Sequence, residues 1–213
     1  MIVNALNRRD TSGLSELLIK DGKFVPASFE DINKFDQEQI SLFCVEQGLY
    51  QIPTIELIEF LKEETKGGFT LEIGAGNGCI GRNVGCMMTD NFQQTWPEIK
   101  IYYEITKQPV VKYGDDVLCI NGNEAIKKFN PHNVIACWVT ELYRDDINEG
   151  NATGVNEVQM FADGILKYIH VGNDLTHERK LLFKKYEHKK YYFPWLLSRS
   201  MTREKNCIYI FKQ

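Results

Sequence analysis

No stretch of this sequence approaches the roughly 18 continuous apolar residues that a membrane span requires. The opening MIVNALNRRDTSG lacks the apolar core and small-residue exit of a secretory leader. The six cysteines, at 44, 79, 86, 119, 137 and 207, include no C-x-x-C pair, and the four histidines, at 132, 170, 177 and 188, show no ligand spacing. Disulfide-scaffold and metal-centre readings are therefore set aside. Cys119 and Cys137 lie in apolar, strand-like runs, where a free thiol acts as a small hydrophobe. The expectation is a reduced, cytoplasmic protein with no metal and no membrane partner. Internal repeats and low-complexity tracts are missing as well. Net charge is small, −4 with 25 Lys/Arg against 29 Asp/Glu, which argues against a chain coated in nucleic acid.

That charge is uneven. Residues 174–213 hold ten Lys/Arg and four Asp/Glu, a local +6, and residues 1–173 hold fifteen against twenty-five, a local −10. The stretch ERKLLFKKYEHKKYYFPWLLSR interleaves cations with aromatics, which makes the basic 178–205 region a secondary candidate for nucleic-acid contact. The simpler reading is a helix with Leu175, Leu182 and Tyr186 inward and lysines in water.

What the chain does have is 43% hydrophobic and 25% charged residues in 213 positions, enough for one large domain with a real core. Residues 1–67 read as a helical N-terminal cap. SFED (28–31) and DQEQ (36–39) have the form of helix starts, Gly48 is a stop, and a further helix follows Pro53 with Ile55, Leu57, Ile58 and Leu61 on its apolar face. From 68 the texture changes. Strands are expected at FTLEI (69–73), DVLCI (116–120), NVIACWV (133–139), ILKYIHVG (165–172), YYFPWLLS (191–198) and CIYIF (207–211). Helices are expected through NEAIKKF, around 155–163, and across LTHERKLLFKKYEH. Alternating strands and helices imply an α/β fold with a mostly parallel sheet and helices on both faces. Only RSMTREKN links the last two strands, so they should form an antiparallel C-terminal hairpin.

The densest signal is FTLEIGAGNGCIG (69–81), an apolar strand that runs into Gly74, Gly76 and Gly78. Glycine weakens a strand, so three in five residues need a reason, such as a ligand lying against bare backbone at the head of a helix. A dinucleotide fingerprint, G-x-G-x-x-G, would need glycine where Cys79 stands, which disfavours a nicotinamide-dependent oxidoreductase. The pattern present is E-x-G-x-G-x-G from Glu72 to Gly78. There the chain resembles the class I S-adenosylmethionine-dependent methyltransferases, whose first motif has this form. The resemblance covers about residues 68–213 in element order and is specific at 72–78.

The resemblance implies a methyltransferase fold with S-adenosyl-L-methionine as cofactor, and these roles. Glu72 would accept from the methionine amino group; Gly74, Ala75, Gly76 and Gly78 would wrap the methionine and ribose. An acidic residue ending the second strand would hold the ribose hydroxyls. Asp90 in GCMMTD, about 18 residues beyond Glu72, is preferred over Glu104 in EIKIYYE because it fits the usual reach of about 20 residues; Pro97-Glu98 also suits a helix start. Asn121 and Asn123 would face the adenine amino group where an aspartate is more usual, although Asn121 followed by Glu124 also reads as a helix cap. After the fourth strand, ACWVTEL lacks the proline pair of amino-methyltransferases acting on DNA bases or glutamine. Trp138 would stack on adenine or substrate, with Thr140 and Glu141 facing the acceptor. No catalytic residue is identifiable, and methyl transfer needs little beyond in-line positioning. The competing reading is a non-catalytic cofactor-binding module. Residues 1–50 suggest a lid, with Tyr50 at its edge.

Overall fold

The structure is a computed structural model that describes residues 9–146, 148 and 150–213. The first eight residues of the expected cap lie outside it. Helix α1 (Ser12–Leu18) leads into a two-stranded hairpin, β1 (Ile19–Lys20) and β2 (Lys23–Phe24). Asp21 and Gly22 turn it with φ of 50° and 73°, the left-handed pair that matches strand twist. Helix α2 (Phe29–Ile32) starts at Ser28 and α3 (Gln37–Gln47) at Asp36, whose capping box with Gln39 is complete. Gly48, at φ 65°, stops α3, and Thr54 caps α4 (Ile55–Glu64) by accepting from Leu57 N.

Seven strands then form one sheet: β3 (Thr70–Ile73), β4 (Met87–Asp90), β5 (Leu118–Cys119), β6 (Asn133–Cys137), β7 (Lys167–Asn173), β8 (His188–Tyr191) and β9 (Asn206–Lys212). Their order is β5-β4-β3-β6-β7-β9-β8. The first five in that order are parallel, and β9 runs antiparallel to both β7 and β8. The chain steps outward from β3 through β5, then crosses to β6 on the other side of β3. The strand order therefore reverses between β3 and β6, where open parallel sheets leave a crevice at their carboxyl ends. Helices α5 (Cys79–Val84), α6 (Pro97–Ile105), α7 (Gly122–Phe129) and α8 (Glu157–Ala162) fill the crossovers, and α9 (Asp174–His177) and α10 (Leu181–Lys185) follow β7. This is the expected α/β architecture with its antiparallel C-terminal edge.

Strand alternation divides the core into two layers. Ile135, Ile169, Val171, Ile208 and Ile210 point to one face, where they pack with Leu14, Phe43, Leu57, Leu61 and Ile80. Val134, Ala136, Tyr168, Tyr209 and Phe211 point to the other, against Ala125, Ile126, Met160, Phe161 and Leu182. The N-terminal helices thus cover one face of the sheet through a shared core.

Several elements differ from the sequence reading. The N-terminal segment contains a hairpin. The second strand is β4, and EIKIYYE is helical, with Pro97 at the first turn where its missing N–H is harmless. The strand at 116–120 shrinks to two exposed residues at the sheet edge, so Cys119 meets solvent. The eighth strand is His188–Tyr191, earlier than YYFPWLLS; Pro194 cannot donate to a ladder, and Leu196 and Leu197 bury themselves in the core instead. The helix expected across 175–188 breaks at Lys180, which has an extended ψ of 140° and a buried side chain, leaving Leu175 60% exposed. Strand β6 stops at Cys137 because Trp138 takes φ 58°. Among the described residues no helix is long and apolar enough to cross a membrane.

Candidate functional site

A cleft of about 310 Å³ opens at the carboxyl ends of β3, β4 and β6. That is within the size range of small-molecule sites, roughly 300–1,000 Å³. Gly74, Ala75 and Gly76 form one edge. All three glycines of the loop are left-handed, with φ of 60°, 56° and 75° at 74, 76 and 78, and that conformation already explains their identity. A Cβ on Gly74 would stand 2.8 Å from Val139 Cγ2, but one on Gly76 would meet only Val111 Cγ1, at 3.5 Å. Gly78 does not line the cleft. It packs behind the loop, where a Cβ would stand 2.9 Å from Arg82, Met88 and Val117.

The loop is not a bare amide cradle either. Ala75 N donates to Thr89 O, Gly76 N to Asp90 Oδ2, Gly78 N to Ala75 O and Cys79 N to Asn77 Oδ1, all at 2.9–3.0 Å. Gly81 N, in the first turn of α5, donates to Glu72 Oε2 at 2.7 Å. Glu72 is the internal acceptor at this helix start, and the amides of Ala75, Gly76, Gly78, Cys79 and Gly81 are engaged within the protein.

Glu72 is 1% exposed on β3 and lines the cleft. Burial pushes its carboxyl up to about 8, with the Gly81 bond opposing and the nearby Asp90 charge adding. Asp90 ends β4, held by Gly76 N on one oxygen and Phe92 N on the other, at 2.9 Å each; burial raises it as well. Glu104 lies on α6, exposed, away from the lining. Asn121 lines the cleft while its Oδ1 caps α7 by accepting from Asn123 N at 3.0 Å. Asn123 does not line the cleft: its side chain pairs with the backbone of Asn156.

Trp138 stands at the cleft wall, its left-handed backbone a costly conformation for a bulky residue. Its Nε1 donates to Gln51 Oε1 at 3.2 Å, and its ring meets Tyr50 and His177. Gln51 in turn donates to Leu197 O at 2.8 Å, and the Arg199 guanidinium lies 4.6 Å from the Tyr50 ring centroid. Residues 48–51 thus cover one side of the cleft. Thr140 lines it, while Glu141 is turned to Leu181 N at 2.8 Å. On the opposite side Asn91 donates to Thr153 O, and Gln93 and Thr153 pair through their side chains.

Sequence reasoning missed Gln51, Gln94, Tyr103, Tyr113, Asn151 and Thr153, all in the lining. They come from loops and an exposed helix, whose amide and aromatic residues carry no local pattern. Among the described residues the lining contains no lysine, arginine or histidine, and its carboxylates are Glu72 and Asp90. In the basic 178–205 region Lys180 is buried, and other cations are paired within the protein. Lys180 pairs with Glu157, Lys190 with Asp174, and Arg203 with Asn33 and Pro194 O.

No protein-family model and no curated protein matches the chain. Among solved structures it is similar to a candidate SAM-dependent methyltransferase from Streptococcus mutans, at 8% identity and TM-score 0.40 over 74% of this chain and 47% of that one. It is similar also to a candidate methyltransferase complexed with SAH, at 9% identity and TM-score 0.40 over 84% and 49%. A third is a candidate RNA methyltransferase from Pyrococcus horikoshii, at 12% identity and TM-score 0.37 over 83% and 96%. The chain spans about half the length of the first two. At such identities and scores these likenesses carry no information about the ligand.

Proposed function

We propose that the cleft binds S-adenosyl-L-methionine and that the protein is a cytoplasmic methyltransferase whose acceptor approaches beside the end of β6. The observation that carries this reading is the polar lining of the cleft: two buried carboxyl groups, no basic side chain among the described residues, and a glycine loop in which the amides of Ala75, Gly76, Gly78 and Cys79 already have acceptors. A dinucleotide brings a pyrophosphate that needs free amides or cations. An adenosyl amino acid brings an ammonium and a sulfonium, which carboxylates favour. The donor set therefore fits the second ligand.

In this reading Glu72 receives the ammonium, Asp90 the ribose hydroxyls, and Asn121 the adenine amino group. Gly74, Ala75 and Gly76 flank the methionine and ribose. Residues 1–67 act as a cap, their segment 48–51 closing the site over Trp138. The bound cofactor supplies an electrophilic methyl group. The chain's own contribution is to fix its direction, which can supply much of the rate of a displacement. Trp138, Tyr50 and Thr140 bound the face from which a nucleophile would arrive.

Calorimetric titration tests the reading. S-adenosylmethionine and S-adenosylhomocysteine are expected to bind with micromolar affinity and NAD not at all; heat from NAD alone would end it. Gly76→Val is expected to abolish the heat of S-adenosylmethionine while far-UV circular dichroism is retained. It forces a branched residue into a left-handed conformation, at about 1–2 kcal/mol, and adds bulk at the cleft edge. An unchanged affinity would show that the ligand lies elsewhere.

A further inference from the structure

Behind the cleft wall, on the sheet face covered by α8, lies a group of polar side chains that the proposed site does not use. Glu157, at the start of α8, is 2% exposed; Lys180 is 4%, His177 4% and His170 0% exposed. Lys180 Nζ donates to Glu157 Oε1 at 2.7 Å and to Val139 O at 2.7 Å. Tyr168 OH donates to the same carboxylate at 2.5 Å. His170 Nδ1 is 3.7 Å from Glu157 Oε1, yet neither of its ring nitrogens has a hydrogen-bond partner among the described residues, nor has Glu157 Oε2. His177 packs against His170 on one side and edge-on to Trp138 on the other.

A buried ion pair is a poor stabiliser. Desolvation offsets most of its attraction, and well-packed apolar residues often do as well. The pair here has a geometric consequence that apolar residues could not reproduce. Its ammonium holds the carbonyl of Val139, which follows the left-handed Trp138, and the Val139 side chain occupies the space over Gly74. Between the short helices α9 and α10, Lys180 takes an extended ψ of 140° and its side chain is buried.

We infer that Lys180, charge-balanced by Glu157, is a positioning residue that fixes Trp138 and Val139 at the cleft wall from behind. As far as ligand affinity is concerned, this rests on the cofactor reading above; the position of Trp138 does not. Two variants separate the roles. Glu157→Gln removes the counter-charge of Lys180 but retains an amide oxygen that accepts from it and leaves the Lys180–Val139 bond, whereas Lys180→Met with Glu157→Gln removes that bond and leaves no buried charge.

The first readout is the indole N–H signal of Trp138 among the three tryptophans, assigned with Trp138→Phe. In the double variant it is expected to shift and to lose hydrogen-exchange protection, with those of Trp96 and Trp195 in place. In Glu157→Gln it is expected to stay. The second readout is affinity for S-adenosylmethionine, expected to fall at least tenfold in the double variant and under threefold in Glu157→Gln. A Trp138 signal unchanged in the double variant overturns the inference whatever the wild-type protein binds. Should that variant not fold, the wild type decides: a nuclear Overhauser effect from the Lys180 ammonium to the Val139 α-proton is expected, and its absence overturns the inference. A wild type that ignores S-adenosylmethionine while the Trp138 shift is seen contradicts the cofactor and leaves the positioning role supported.

Discussion

Raising the pH from about 5 to about 8 is expected to weaken the ligand-free fold, and Glu72→Gln to abolish most of that loss. The sign follows from burial. The carboxyl of Glu72 is pushed from 4.5 to about 8 in the folded chain, so between those values the folded state keeps a proton that the unfolded chain has lost. Its contribution is fully present below 4.5 and is lost as pH rises through about 8. Each pH unit in that window is worth up to about 1.4 kcal/mol, and a total of roughly 2–4 kcal/mol is expected. Chemical denaturation at pH 5 and pH 8 measures it. The amide that Glu72→Gln introduces can still accept from Gly81 N, so the variant should match wild type at the lower pH and exceed it at the higher. An equal slope in both proteins would show that Glu72 is ionised in the free state. Ligand binding runs the other way: a cation beside Glu72 favours the carboxylate, so S-adenosylmethionine should release a proton on binding near pH 7, and the advantage of wild type over Glu72→Gln should grow with pH.

Gly81→Ala is expected to destabilise the protein by about 1–3 kcal/mol, the range for overpacking a tight core site. In an exposed helix the same change would stabilise by roughly 1 kcal/mol. Here the added carbon would stand 2.5 Å from both Glu72 Oε2 and Met88 Cγ, so either the carboxylate leaves its place at the start of α5 or β4 moves. Cofactor affinity should fall with stability, because Glu72 is the proposed ammonium partner. Thermal melting and calorimetry on the variant check both; a variant as stable as wild type would mean that α5 stands farther from β3. This glycine also explains why Cys79 is tolerated where a dinucleotide fingerprint wants glycine: the close helix-to-strand approach occurs at Gly81.

The parts of the fold that the sequence revealed are those written in local patterns. The run from Phe69 to Gly81 shows strand, loop and helix start because burial and left-handed turns act on adjacent residues. Asp36, Gln39 and Gly48 announce α3 in the same way. Asp21-Gly22 is an equally local signal, but the helical reading of residues 1–67 passes over the hairpin it turns. The misread elements depend on distant contacts. Met87–Asp90 is four residues long and becomes a strand only because Leu71, Glu72 and Ile73 pair with it. The aromatic run from Tyr191 to Trp195 looks like a strand, but its last residues find a core rather than a ladder. In the site, Gly74, Ala75, Gly76, Glu72, Asp90, Asn121 and Trp138 meet in one cleft, while Gly78 and Asn123 serve the loop and helix from behind. The fact that bears most on the proposed ligand, the engagement of the Ala75, Gly76, Gly78 and Cys79 amides within the protein, is invisible without coordinates.

Crystals grown with S-adenosylmethionine give the most direct test of that ligand. Density is expected between the β3 loop and Trp138, with the ribose hydroxyls on Asp90 and the ammonium on Glu72. An empty cleft at saturating ligand, or density lodged elsewhere with Asp90 still closed on Gly76 and Phe92, would contradict the account.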